Sequence, residues 1–249
     1  CWTLEPKAKA EIVSRLGWLE VASSMKKAAE EIISFVEEIK AEGFTHVLLM
    51  GMGGSSLAPE VFQNVFGRAA GYPQLLVLDS TDPEQIRKIE ARLDISKTLF
   101  IVSSKSGGTI ELTSFFKYFF EKTKALDRDK AGRRFVAITD PDSPLENLAK
   151  ENNFRKIFLN ALDIGGRFSA LSYFGLVPAC LVGVDVRKIL ESAESMMRQS
   201  SASTPIEQNT AALLGIGMAV LSEEGRDKLT ILATPSLASF GDWAEQLIA

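Results

Sequence analysis

The sequence predicts an α/β protein: a doubly wound, five-stranded parallel sheet with helical flanks and the start of a second such domain. Three observations predict it. Five short apolar runs alternate with amphipathic stretches between Thr45 and Ala161. The runs are almost continuously apolar, as strands covered on both faces must be. Two of the intervening stretches open on Asp82-Pro83 and Ser143-Pro144, a capping side chain followed by a proline at the first helical position.

In chain order, Glu5 to Ala41 reads as helical. Met25, Ala28, Ala29, Ile32, Ile33, Val36 and Ile39 recur at three- and four-residue spacing, and Lys26, Lys27, Glu30, Glu37 and Glu38 face water. Gly43 stops the helix. The strands are His46–Met50, Leu75–Leu78, Thr98–Ser103, Phe135–Thr139 and Lys156–Leu159. The helices between them are Leu57–Phe66, Pro83–Leu93, Thr109–Ala125 and Pro144–Asn152. Right-handed crossovers wind such a sheet on both sides, and its ligands bind beyond the carboxyl ends of the strands. The loops Gly51–Ser56, Asp79–Asp82, Ser103–Thr109 and Asp140–Ser143 therefore share the functional edge. Helices are expected at Ala170–Val182, Val186–Arg198 and Pro205–Ser222, then a strand at Leu229–Thr234 and a helix at Gly241–Ala249. This divides the chain into a helical segment (1–44), an α/β domain (45–183), connecting helices (184–225) and the first strand–helix unit of a second, truncated domain (226–249).

Composition narrows the function. The chain has 249 residues, 46% hydrophobic and 24% charged, an ordinary globular balance with room for a large core. Two cysteines, Cys1 and Cys180, are too few for a disulfide framework and point to a reducing cytoplasm. No apolar run approaches the ~20 residues of a membrane span, and a net charge of −4 gives no general attraction to nucleic acid. One histidine and two distant cysteines supply no metal-ligand spacing. The lone His46 lies in the first strand and reads as a packed strand residue. The chain begins at Cys1 and stops inside a helix at Ala249, as a piece cut from a longer protein would.

Three loops could carry chemistry. Gly51-Met52-Gly53-Gly54-Ser55-Ser56 joins a strand to a helix and lets a ligand approach the backbone beside a helix N-terminus; the lesser alternative is a tight turn without a ligand. Ser56 stands where a dinucleotide fingerprint needs glycine, and no Walker Gly-Lys-Ser/Thr follows. Ser103-Ser104-Lys105-Ser106-Gly107-Gly108-Thr109 gathers hydroxyls, a cation and two glycines at a helix start. Such a loop holds a phosphate without a strongly basic surface; alone it could also be a polar capped loop. Asp163-Ile164-Gly165-Gly166-Arg167-Phe168-Ser169 places a guanidinium at the mouth of the sheet, either to stabilise an oxyanion or phosphate or to pair with Asp163.

The segments MGMGGSSLAPEVF, VSSKSGGTIE, DIGGRFSALS and FGDWAEQLIA occur in the order seen in glucose-6-phosphate isomerases. The chain resembles that family from Thr45 onward, in particular the isomerase part of fused transaldolase/glucose-6-phosphate isomerases. The resemblance implies two flavodoxin-like sugar-isomerase (SIS) domains and interconversion of glucose 6-phosphate and fructose 6-phosphate through a cis-enediolate, without metal or redox cofactor. By motif, Gly53, Gly54, Ser55 and Gly166 would line the sugar site, and Ser104, Lys105, Ser106 and Thr109 would form the phosphate loop. Arg167 would stabilise the enediolate, and Gln246 would face the substrate. Ser106 stands where many members have Thr, and Gly107-Gly108 replaces bulkier residues.

The family's general base, a Glu in a Glu-Ser-x-Gly-Lys segment, would follow the Trp-x-x-Gln-Leu helix and so lie past Ala249. Residues 1–249 are accordingly expected to bind a sugar phosphate weakly without isomerising it. The resemblance further implies a cytoplasmic homodimer and an upstream transaldolase domain. The competing reading is a non-catalytic SIS module that senses a phosphosugar. Such a module needs neither the Gly-Gly-Arg-Phe-Ser segment nor the Trp-x-x-Gln-Leu helix.

Overall fold

Strand β1 (His46–Gly51) sets the pattern of the core: Val47 and Leu49 face one side of the sheet, Leu48 and Met50 the other, and all four are fully buried. The same period of two runs through β2 (Gln74–Leu78), β3 (Thr98–Ser103), β4 (Phe135–Thr139) and β5 (Lys156–Leu159). Leu99 and Ile101 join the first side, Phe100 and Val102 the second. Buried on both faces, the central strands β1, β3 and β4 read as continuous apolar runs. All pairs are parallel, in the order β2-β1-β3-β4-β5. The computed structural model that shows this describes residues 5–248, so Cys1 and Ala249 lie outside the described residues.

Helices cover both faces. α1 is Pro6–Val13, and α2 (Val21–Ala41) packs on the first face. The strand–helix units continue with α3 (Leu57–Phe66), α4 (Pro83–Glu90), α5 (Ile110–Leu126) and α6 (Pro144–Glu151). The phenylalanines of α5 (115, 116, 119 and 120) form the second core with Phe100, Phe135 and Phe154. α7 (Tyr173–Leu181) and α8 (Val186–Gln199) return to the first face beside α2. α9 (Thr210–Glu223) and α10 (Phe240–Ile248) complete the described chain.

Four expectations change. The N-terminal helix is broken: a 3-10 turn, Gly17–Glu20, separates α1 from α2. The Gly17 N–H donates to the Asp163 carbonyl at 3.0 Å, and a Cβ there would come within 2.3 Å of the Asp163 side chain. The helix expected from Ala170 starts at Tyr173, because the Ser172 hydroxyl accepts the Phe174 N–H and a 3-10 turn, Gly166–Leu171, precedes it. The one expected from Pro205 starts at Thr210, where the Asn209 side chain accepts the Ala212 N–H at 3.0 Å.

Leu229–Thr234 forms no strand. An apolar run becomes a strand only when another backbone satisfies its N–H and C=O groups, and among the described residues the five strands pair solely with one another. Leu229 and Leu232 are 54% and 93% exposed. No described helix is long and apolar enough to cross a membrane.

Candidate functional site

Strand order reverses between β1 and β3, which lie side by side with Gly51 opposite Ser103. In open α/β sheets the crevice beyond such a switch point is where ligands bind. Its two walls are the loops after β1 and β3. After β1 the chain makes a 3-10 turn, Gly53–Ser55, with Gly53 at φ +55°, a left-handed value that suits glycine. The Ser103 hydroxyl donates to the Ser55 carbonyl at 3.4 Å, tying the walls together.

The helices at this crevice differ from their neighbours. α4 and α6, which follow β2 and β4, have filled caps: Asp82 accepts the Glu84 and Gln85 N–H groups, and Ser143 accepts that of Glu146. α3 and α5, which follow β1 and β3, have no side-chain cap. The Ser56 hydroxyl points back to the Gly53 carbonyl at 3.1 Å, and the Thr109 side chain makes no capping bond. Two helix N-termini with uncapped N–H groups and positive dipole ends thus flank one crevice, an arrangement that favours an anion.

The loop after β3 is shaped from within. The buried Ser104 hydroxyl accepts the Gly107 N–H at 3.0 Å, and Gly107 at φ +67° packs so closely that a Cβ would meet the Leu145 N at 2.7 Å. Ser106 is exposed and Thr109 half-buried. The Lys105 ammonium donates to Asp140 at 2.5 Å and to the Leu162 carbonyl at 3.1 Å. Burial pushes the Asp140 carboxyl above the usual carboxylate range, and Lys105 opposes that push.

The third segment meets the first backbone to backbone. A Cβ on Gly54 would lie 2.3 Å from the Gly166 carbonyl oxygen, and the Ser169 hydroxyl is 2.7 Å from that oxygen and 3.4 Å from the Gly54 carbonyl. Arg167, next in the same 3-10 turn, is exposed. Asp163 seats Gly17, and Trp18 stacks on Phe168 at 5.0 Å. From α10, the Gln246 Nε2 comes within 2.8 Å of where a Gly53 Cβ would stand, while its Oε1 is buried without a hydrogen-bond partner.

Gly53, Gly54, Ser55, Ser104, Lys105, Ser106, Thr109, Gly166, Arg167 and Gln246 are thus all on loops at the carboxyl edge or on α10 against it. Asp140 and Ser169 hold these loops in place and were not singled out by sequence. The signal for Asp140 was its position, a carboxylate ending an apolar strand on the functional edge. His46 is at the opposite edge, its Nδ1 2.9 Å from the Thr45 hydroxyl; burial is the main cause that lowers its pKa. Among the described residues, no group of three His, Cys, Asp or Glu side chains could hold a metal ion.

The model of the phosphoglucose isomerase family matches residues 11–233. The chain belongs to that family. Curated relatives of this phosphoglucose isomerase family member include the glucose-6-phosphate isomerase of Trichormus variabilis, 33% identical over 244 residues, which cover 92% of this chain and 45% of the relative. That of Campylobacter jejuni is 32% identical over 181 residues, 72% of this chain and 44% of the relative. The chain therefore spans less than half the length of these relatives. Among solved structures, a Thermus thermophilus protein described as hypothetical superposes with a TM-score of 0.82 at 28% identity, covering 94% of this chain and 54% of that one. A glucose-6-phosphate isomerase from Chlamydia trachomatis shares the fold at 22% identity with a TM-score of 0.73, covering 99% and 46%.

Proposed function

We propose that this chain supplies the phosphosugar-binding part of a glucose-6-phosphate isomerase, which interconverts glucose 6-phosphate and fructose 6-phosphate through a cis-enediolate. The observation that carries the reading is the pair of uncapped helix N-termini at the switch point, in a chain of this family. The phosphate is placed on residues 104–109, with the Ser106 and Thr109 hydroxyls and the first N–H groups of α5 as donors. This remote handle holds the sugar in reacting geometry. Gly53, Gly54, Ser55 and Gly166 let the sugar approach the backbone, and Gln246 faces it. Arg167 offers its positive charge to the enediolate oxygen as negative charge develops there. No general base is assigned among residues 5–248. The same proposal includes a cytoplasmic homodimer, residues 226–249 as the opening of a second SIS unit, and a transaldolase domain upstream.

Calorimetric titration tests the reading. Fructose 6-phosphate is expected to bind and fructose is not, and T109A is expected to weaken the phosphate ester by about tenfold, the loss of one hydrogen bond to a charged group. Equal affinity for the two sugars would refute the phosphate handle. Turnover of fructose 6-phosphate by this chain alone in a coupled assay would overturn the assignment of no base.

A further inference from the structure

Lys105 is the sole cation between Ser103 and Thr109, and its charge is directed into the protein. Its ammonium donates to Asp140 Oδ2 at 2.5 Å and to the Leu162 carbonyl at 3.1 Å. Its own carbonyl accepts the Asp140 N–H and the Thr139 hydroxyl, each at 3.4 Å. The Thr139 hydroxyl is also 2.7 Å from the hydroxyl of Ser143, the cap of α6. One side chain therefore joins the three loops that leave β3, β4 and β5, the last of which leads to Arg167.

This is no solvated surface pair. Asp140 is only 8% exposed, and its second oxygen, Oδ1, is buried without a partner. A buried carboxylate in that state needs its one cation. Two of the three ammonium donors are already used. A dianion on residues 104–109 is left to the hydroxyls and backbone N–H groups, several of which are unused.

We propose that Asp140 is a positioning residue: it holds Lys105 in a three-loop tie that shapes the phosphate loop and sets it against the Arg167 segment, and Lys105 does not itself contact the phosphate. The proposal rests on the reading of residues 104–109 as a phosphate loop. The alternative, a lysine that binds phosphate while Asp140 competes for it, predicts the opposite sign. Removing the competing carboxylate would free the ammonium and tighten binding. Removing the tie loosens it.

The test is the affinity of the full chain for fructose 6-phosphate in wild type, D140N, K105M and the double variant. D140N and K105M are each expected to weaken binding by about tenfold, the scale of losing one well-placed hydrogen bond to a charged group. The double variant is expected to bind no more weakly than the weaker single, because both changes break one tie. Tighter or unchanged binding by D140N overturns the proposal.

Should D140N fail to fold, wild type decides. On titration with inorganic phosphate, the amide resonances of residues 106–109 are expected to shift while the Lys105 side-chain nitrogen holds its position. A lysine nitrogen that shifts along with the amides overturns the proposal. If fructose 6-phosphate moves none of these resonances in wild type, the phosphate-loop reading fails and the proposal falls with it. If the amides move but D140N binds as well as wild type, the proposal alone fails.

Discussion

Gly54 and Gly166 are both glycines of the candidate site, yet the structure asks different things of them. A Cβ on Gly54 would drive into the Gly166 carbonyl oxygen at 2.3 Å, whereas one on Gly166 meets nothing within 4 Å. G54A is therefore expected to force the first and third loops apart, destabilising the fold by about 1–3 kcal/mol and abolishing fructose 6-phosphate binding. G166A should leave thermal stability within about 0.5 kcal/mol of wild type. Thermal melts and the calorimetric titration of both variants check this, and equal behaviour of the two would contradict the contact. Cys180 gives a second prediction at this scale. It is buried on α7, and burial is the main cause that pushes its thiol up to about 12 from an ordinary 9. A raised pKa favours the protonated form in the fold, so its contribution to stability is complete below pH 9 and is lost as the pH rises toward 12. With Cys1 replaced by Ser, native protein at pH 8 should resist a thiol-disulfide reagent that reacts at once after unfolding. Rapid reaction of native protein would contradict the burial.

The strands were legible because each is a local signal: a short apolar run between turn residues, which in β1, β3 and β4 is buried on both faces. Their partners were implied by fold class, and the reversal of order between β1 and β3 follows from the winding. Elements that depend on distant residues were not legible. The break at Gly17 is caused by Asp163, far along the chain, and nothing near Gly17 announces it. Leu229–Thr234 has a strand's composition but pairs with no backbone among the described residues. In the site, the glycines and hydroxyls could be read as motifs, while the Lys105–Asp140 tie joins two different loops and could not. Arg155 shows the same long-range logic in the packing of elements. Its side chain, 12% exposed, precedes β5, donates to Glu38 and Glu42 at the end of α2 at 2.6 Å each, and stacks over Phe44 at 5.4 Å. R155M should cost about 1 kcal/mol: a hydrogen bond to a charged group is worth about 1.5–3 kcal/mol, and exposure of both carboxylates, at 55% and 45%, screens the pairs toward the lower range of exposed ion pairs. The Arg155 hydrogen bond is the first cause holding Glu42 below its usual pKa. That stabilisation is present above pH 4.5 and lost as the pH falls through the depressed value. Denaturant midpoints between pH 3 and 7 should accordingly fall less steeply in R155M than in wild type, and parallel curves would count against the clamp.

The molecule as a whole divides sharply into a saturated α/β body and an apolar surface around its later helices. Both faces of the sheet are closed by helices, and the core strands are almost wholly inaccessible. α9, in contrast, buries none of its residues, although Leu213, Leu214, Ile216 and Val220 are apolar and between 46% and 65% exposed. Leu232 is 93% exposed, and an apolar cavity of about 550 Å³ opens between α3 and α10, lined by Phe62, Phe66, Phe168, Phe240 and Trp243. A helix apolar on all sides is stable in water only when something covers it, and exposed apolar surfaces of this kind mark association sites. The 249-residue chain is therefore expected to bind the dye ANS under native conditions and to elute with a size that grows with concentration. The double variant L214E/L232E should lower both signals while leaving the melting temperature of the α/β body nearly unchanged, since neither side chain belongs to either core. Size-exclusion chromatography with light scattering reads the first effect and calorimetry the second. A wild-type chain that stays monomeric and binds no dye at every concentration would show that α9 and Leu232 are covered in solution, against the exposure of these residues in the fold.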